Sequence, residues 1–229
     1  MKQYFYLVVL FVLASCAVER VVQLPDIQSA LITEVSDTSP VYVFYDEAQT
    51  DSTLFNQKKI TSSTNWLVNI DKRLTLEKVL PHLQSLQNKR NKVDVRKNTN
   101  TKNYFTCNDL STQNLGFIDF TDIKFSEFSD DDSDVPDIEP TTKSIFIHFF
   151  SEDLVSVASF YNNQQLDDNM LEINDFFTNF KELIEPSVSN MIYSSFDKEL
   201  TFQQYITIKS KLNSFQKDNL MIDSKEYFD

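Results

Sequence analysis

One glycine, Gly116, serves a chain of 229 residues. Glycine takes left-handed or closely approached backbone at no steric cost. Phosphate-cradling loops, dinucleotide fingerprints and the Gly-x-Ser-x-Gly nucleophile elbow all depend on it, so none can be built here. Turns must be made by Asn, Asp and Ser, in which the chain is rich. With 41% hydrophobic residues, 20 of the side chains being phenylalanine, there is ample material for a core. The length suits one large or two small domains. A formal charge of −13 argues against nucleic acid, whose binding needs clustered Lys and Arg to displace counterions.

The amino terminus is patterned for export. Met1-Lys2-Gln3 carries one positive charge, and Tyr4 to Ala14 is an unbroken apolar stretch. At ~1.5 Å per residue that stretch reaches roughly 16 Å, about half the hydrocarbon thickness of a bilayer. It is too short for a comfortable span and suits the apolar region of a signal peptide. It ends in Leu13-Ala14-Ser15-Cys16, which resembles the bacterial lipobox. The resemblance implies a signal peptide over residues 1–15, cleavage between Ser15 and Cys16, and acylation (diacylglycerol, palmitate) at Cys16. An ordinary signal peptide with a chance cysteine is the alternative. Loss of Lys2 with the leader would take the formal charge to −14. Val18, Glu19 and Arg20 follow without an acidic cluster, which implies an outer-membrane anchor facing the periplasm. With Cys16 acylated, Cys107 has no intrachain partner and reads as a packed thiol.

Beyond a tether over 16–39, with a short helix expected around Ile27–Val35, the chain reads as strands and helices in alternation. Pro40–Glu47 and Thr64–Asp71 alternate as strands. Leu76, Val79, Leu80, Leu83 and Leu86 share one helical face behind Thr75 as N-cap, with Pro81 expected to kink or delay the helix. Residues 89–102 are basic and read as an exposed loop, and Asn114–Phe125 returns to strand character. Residues 126–142 are acidic and twice interrupted by proline, a linker by composition. Ser144–Phe150 and Leu154–Asn163 read as strands. Asn169 to Glu172 has the spacing of a capping box opening a helix that carries Met170, Ile173, Phe176, Phe177, Phe180 and Ile184. Ser189–Phe196 is a strand, the segment after Thr201 a capped helix, and Asn219–Ser224 a closing strand. The fold expected is α+β: two small modules at 40–125 and 143–229, each a mixed sheet packed by one or two helices.

The modules look alike. Asp71-Lys72, Leu74-Thr75 and Leu86 match Asp197-Lys198, Leu200-Thr201 and Leu212 at one constant offset. Each copy is followed by Asn-Leu and then Ile-Asp, at Asn114–Asp119 and Asn219–Asp223. A repeat at this spacing means two related units. The element order of the second copy, with its Asp197-Lys198 turn, resembles the periplasmic domain of ExbD/TolR-type proteins. That resemblance implies a small α+β binding module able to dimerise or to contact peptidoglycan. The family's membrane-embedded aspartate has no counterpart in Tyr4–Ala14, so proton coupling does not carry over.

Candidate chemistry is sparse. Asp130, Asp132 and Asp134 sit at the first, third and fifth positions of a calcium loop, but Val135 replaces its glycine and Thr141 its glutamate. His82 and His148 are the only histidines, without metal-ligand spacing. Asp71 and Asp197 are the nearest thing to a matched carboxylate pair and read as turn residues beside a helix start. Lys209 breaks the apolar face of its helix and is expected to reach water. The basic loop (Lys89, Arg90, Lys92, Arg96, Lys97, Lys102) could meet anionic lipid or an acidic partner. No catalytic residue, metal or cofactor is assigned. Two functions follow: a non-enzymatic envelope lipoprotein binding a protein or the cell wall, or a lipid-anchored hydrolase joining His148 to a serine and a carboxylate.

Overall fold

The computed structural model describes residues 20–58, 60–91, 101–127, 140–215 and 219–229. Cys16, the acidic run Asp130–Asp134 and the basic residues Lys92, Arg96 and Lys97 lie outside them. The fold is α+β, with two mixed six-stranded sheets and three helices among the described residues.

The first sheet is built on strands whose alternate residues are buried. These are β2 (Thr38–Tyr45), through Ser39, Val41 and Val43, and β4 (Asn65–Ile70), through Trp66, Val68 and Ile70. β2, β4 and β5 (Asn103–Asp109) run parallel, and β3 (Thr53–Asn56) returns antiparallel beside β2. β5 also pairs with β1 (Asp26–Ile27) in parallel and with β6 (Asn114–Asp119) antiparallel. Helix α1 (Leu76–Asn91) joins β4 to β5 and buries Leu76, Val79, Leu80, Leu83 and Leu86. Pro81 does not delay it.

The second sheet repeats that plan. β8 (Thr142–Phe149), β11 (Ser189–Phe196) and β12 (Leu220–Phe228) are parallel, and β9 (Leu154–Tyr161) returns antiparallel beside β8. Helix α3 (Phe202–Ser214) joins β11 to β12. The order β3-β2-β4-β5 thus recurs as β9-β8-β11-β12. Two elements extend the second copy: β10 (Gln164–Glu172) beside β9, and helix α2 (Ile173–Asn179), which continues as a 3-10 turn at Phe180–Leu183.

The copies meet about a pseudo-twofold axis. Thr75 and Thr201 form an isolated antiparallel bridge. Leu76 N–H donates to the Leu200 carbonyl (2.8 Å), and Phe202 N–H to the Leu74 carbonyl (2.7 Å). One step out, Glu77 N–H donates to Lys198 and Gln203 N–H to Lys72. The first N–H groups of a helix have no partner within it. Here each copy supplies the acceptors for the other.

Strand β7 (Lys124–Glu127) deepens the junction. It follows β6 in the chain yet pairs in parallel with β12, as the edge of the second sheet. The stretch 114–125 is therefore two strands in two sheets, linked by a turn at Phe120–Ile123. Phe105 stacks on Phe120, Phe120 packs on Phe125, and Phe125 on Phe228. Phe105 also meets Phe202 and Tyr205 edge-on, so one hydrophobic core runs through both copies.

Several expectations are corrected. No helix forms around Ile27–Val35. Gln203 holds Asp26 extended through both its backbone N–H (2.8 Å) and its carbonyl (2.9 Å), Ile27 pairs with Asp109, and Ile32 bridges Phe117. Asn169 to Glu172 is not a capping box but part of β10, paired residue by residue with β9, and Met170 is 60% exposed. Glu172 precedes α2 without a side-chain cap. Thr201 caps α3 in a reciprocal box with Gln204, whereas the Thr75 hydroxyl is buried and bonds to nothing among the described residues. Lys78 stands where Gln204 stands in the other copy and cannot close the box. The shared Asn-Leu…Ile-Asp is coincidence: Asn114 lies in antiparallel β6 and Leu220 in parallel β12.

Candidate functional site

Because the order β3-β2-β4-β5 recurs as β9-β8-β11-β12, each copy serves as a control for the other. Val68 pairs with Phe105 across β4 and β5, and Ser194 pairs with Glu226 across β11 and β12. On the helices, Val79 and Leu83 correspond to Tyr205 and Lys209. The first copy is apolar at all four positions, and each of its four residues is fully buried. The second copy places Ser194, Glu226, Tyr205 and Lys209 there, none more than 4% exposed.

These side chains form a network. The Glu226 carboxylate accepts from the Tyr205 hydroxyl (2.6 Å) and, through its other oxygen, from the Lys209 ammonium. Burial, with the Glu226 charge beside it, pushes the Tyr205 hydroxyl well above its ordinary pKa. Lys209 therefore does not reach water; it is paired in the interior. Ser194 Oγ, across the strand from Glu226, is buried without a hydrogen-bond partner among the described residues. A buried ion pair is weak evidence of stabilisation, since an apolar replacement of similar volume is often neutral or better. The first copy is such a replacement.

Lys209 lines a groove of about 610 Å³ where the two copies meet. One wall is the 27–32 segment, the second is Phe117–Ile123, and the third combines the end of α3 with Ile222, Asp223 and Ser224. Those last residues stand at an irregularity: Ile192 pairs with Ile222 but Ser194 with Glu226, so three residues of β12 face one of β11. Bulges re-aim side chains and favour functional sites. The matching stretch of β4 and β5 has none. Of the groove's carboxylates, Asp119 is paired with Lys102 (2.7 Å), while Asp122 and Asp223 form no ion pair among the described residues.

The residues singled out in the sequence have other roles. Asp71 and Asp197 each accept from the backbone N–H two residues on, at 3.2 and 2.7 Å, as turn residues do. Burial pushes the Asp71 carboxyl up, but hydrogen bonds from Arg73 and Gln23 outweigh it and hold the group below its usual range. Burial raises the Cys107 thiol to about 12, so it is a core residue and not a nucleophile. His82 shares a hydrogen bond with Thr53 (3.0 Å) and stacks on Phe55. Arg90 is no loop residue. Its guanidinium lies over Trp66 at 3.7 Å and donates to Asn103, Thr101 and the carbonyls of Ser62 and Thr64.

His148 does meet a serine and a carboxylate. Its Nδ1 lies 2.8 Å from Ser195 Oγ and 3.8 Å from an Asp229 carboxylate oxygen. Both approach the same ring nitrogen. A serine triad needs the hydroxyl on one nitrogen and the carboxylate on the other. No group of three metal-ligating side chains converges among the described residues.

Sequence reasoning missed Glu226 and Tyr205. The only signal was Lys209 interrupting an apolar face, and its partner lay on a strand whose end was not read. No family model, curated protein or solved structure matches this chain.

Proposed function

We propose that this chain is a non-enzymatic lipoprotein of the bacterial cell envelope, anchored at Cys16 in the outer membrane on the periplasmic side, and working by binding a protein or the cell wall. The anchor rests on Leu13-Ala14-Ser15-Cys16. No described helix is long and apolar enough to cross a membrane. The relation of the second copy to ExbD/TolR-type domains belongs to the same proposal, with β10 as an addition to the expected element order.

The observation that carries the binding role is the face of the second sheet turned away from α3. Ile145, Ile147, Val155, Val157, Ile192 and Phe196 point to the core, so their neighbours line the opposite face. Phe146 stacks on Tyr193 and meets Phe160 edge-on there, flanked by Leu154, Met170 and Met221, which are 37, 60 and 49% exposed. Large apolar side chains left exposed on one sheet face beside an aromatic cluster favour an interaction site. Catalysis by His148 is disfavoured because Ser195 and Asp229 share one nitrogen.

A photo-crosslinking residue at Phe160, in intact envelopes, tests the reading together with Cys16→Ala. A discrete partner is expected at Phe160 and not at a control position on β3, and Cys16→Ala should abolish fatty-acid labelling and release the protein from membranes. Unchanged membrane retention with an uncleaved amino terminus would reject the anchor. Equal, diffuse crosslinking at both positions would reject the face.

A further inference from the structure

Strand β10 is where the second copy adds to the shared plan, and it ends its sheet as an open edge. The first sheet stops at β3, four residues long; the second continues past the corresponding β9 to β10, nine residues long. One side of β10 pairs with β9 in unbroken register, from Asp167 opposite Ser159 to Glu172 opposite Leu154. Its other side pairs with no strand among the described residues. Such an edge presents a row of backbone N–H and C=O groups, which proteins ordinarily guard with Lys, Pro or a covering segment. β10 contains neither Lys nor Pro.

The side chains say which strand fits. Alternate residues share a face, and the register puts Asp168 in one row with Ala158, Phe146 and Tyr193. Asp168, Met170 and Glu172 therefore border the aromatic face described above. Both carboxylates are exposed and form no ion pair among the described residues, and Met170 between them is 60% exposed. Asp167, on the other face, is bonded to Ser159 (3.0 Å). A second copy is a poor occupant. Antiparallel pairing of two β10 strands about Met170 sets Asp168 against Glu172 twice, and in-register parallel pairing sets each carboxylate against itself. Like charges directly opposite are destabilising. We infer that β10 takes up an extended segment of a partner protein as a further strand. That segment carries two basic residues four positions apart, opposite Asp168 and Glu172, and an apolar residue midway, opposite Met170. Backbone bonds supply the affinity and the alternate side chains the specificity. This docking rests on the binding role proposed for the aromatic face and narrows it to a protein partner.

The test titrates the full chain, purified in mild detergent, into fluorescent acetyl-Thr-Lys-Val-Val-Thr-Lys-Thr amide, followed by anisotropy and by amide hydrogen exchange. Saturable binding is expected, with exchange slowed in β10 and unchanged in β3. A fully N-methylated peptide, which has no backbone donors, should bind at least ~tenfold more weakly. Asp168→Lys with Glu172→Lys, both exposed, should leave the melting temperature unchanged and reverse the preference: the Lys peptide is lost and its counterpart with Glu in place of both Lys is gained. Docking at the edge is overturned if no peptide binds at millimolar concentration, if the N-methylated peptide binds as well, or if the charge reversal leaves the preference as it was. A partner crosslinked at Phe160 that persists undiminished in the double variant would overturn the edge while the face stands. Retention on purified peptidoglycan, equal in wild type and double variant and without peptide binding, would overturn it in favour of the cell wall.

Discussion

Polar residues do the work that glycine does elsewhere. Asp37, Ser52, Gln113, Asn162 and Asn163 take positive φ, and Asn162-Asn163 turns β9 into β10 with both residues left-handed. Gly116 itself has no such backbone. It lies in β6 against Ala30, and a Cβ there would stand 2.4 Å from the Ala30 Cβ. Gly116→Ala should therefore destabilise the protein by about 1–3 kcal/mol, as overpacking does. Ala30→Gly in the same chain should recover part of the loss in urea denaturation; no loss in the single variant would contradict the close approach. The two threonines offer a second comparison. Thr201→Ala should cost ~0.5–2 kcal/mol as a lost N-cap. Thr75→Ala, whose hydroxyl bonds to nothing among the described residues, should fall within about 0.5 kcal/mol of wild type. Equal losses would contradict the asymmetry.

Among elements, those that bury one face with a clear period were the most legible. β2, β4, β8, β9 and β11 alternate, and α1 and α3 keep the helical period, so periodicity found them. β5 buries nearly every residue and has no alternation to read. β10 buries none, and its Asn169…Glu172 spacing imitates a helix start until the pairing with β9 is known. The candidate site was legible only as the anomaly of Lys209, because its partners are brought by a parallel strand pairing that local sequence does not encode. Short β7 has the largest consequence for its size. Phe125, 6% exposed, packs on Phe120 and Phe228 across the two sheets. Phe125→Ala should cost about 3–5 kcal/mol and lower the unfolding midpoint of both copies together. Loss confined to signals of the second sheet would show that β7 is peripheral.

For the whole molecule, acid sensitivity follows from carboxylates that the fold holds ionised. The Ser111 hydroxyl and the Ala30 and Ser111 N–H groups hold Asp109 down to about 2, and Lys72 lowers Asp26. A carboxyl lowered in the folded state stabilises fully above its unfolded value, ~3.9, and loses that contribution as pH falls through the folded value. Stability should therefore drop between about pH 4 and pH 2, and Asp109→Asn should flatten the drop; an unchanged slope would count against that role for Asp109.

The central claim at this scale is that two copies of one α+β unit share a single core, closed by reciprocal hydrogen bonds at Leu76, Glu77, Phe202 and Gln203. Native-state hydrogen exchange of those four amides tests it most directly. If the copies form one unit, all four should exchange only through global unfolding, with the same free energy as the amides of β4 and β11. Exchange of these four while β4 and β11 stay protected would show two modules that merely touch, and would contradict the account.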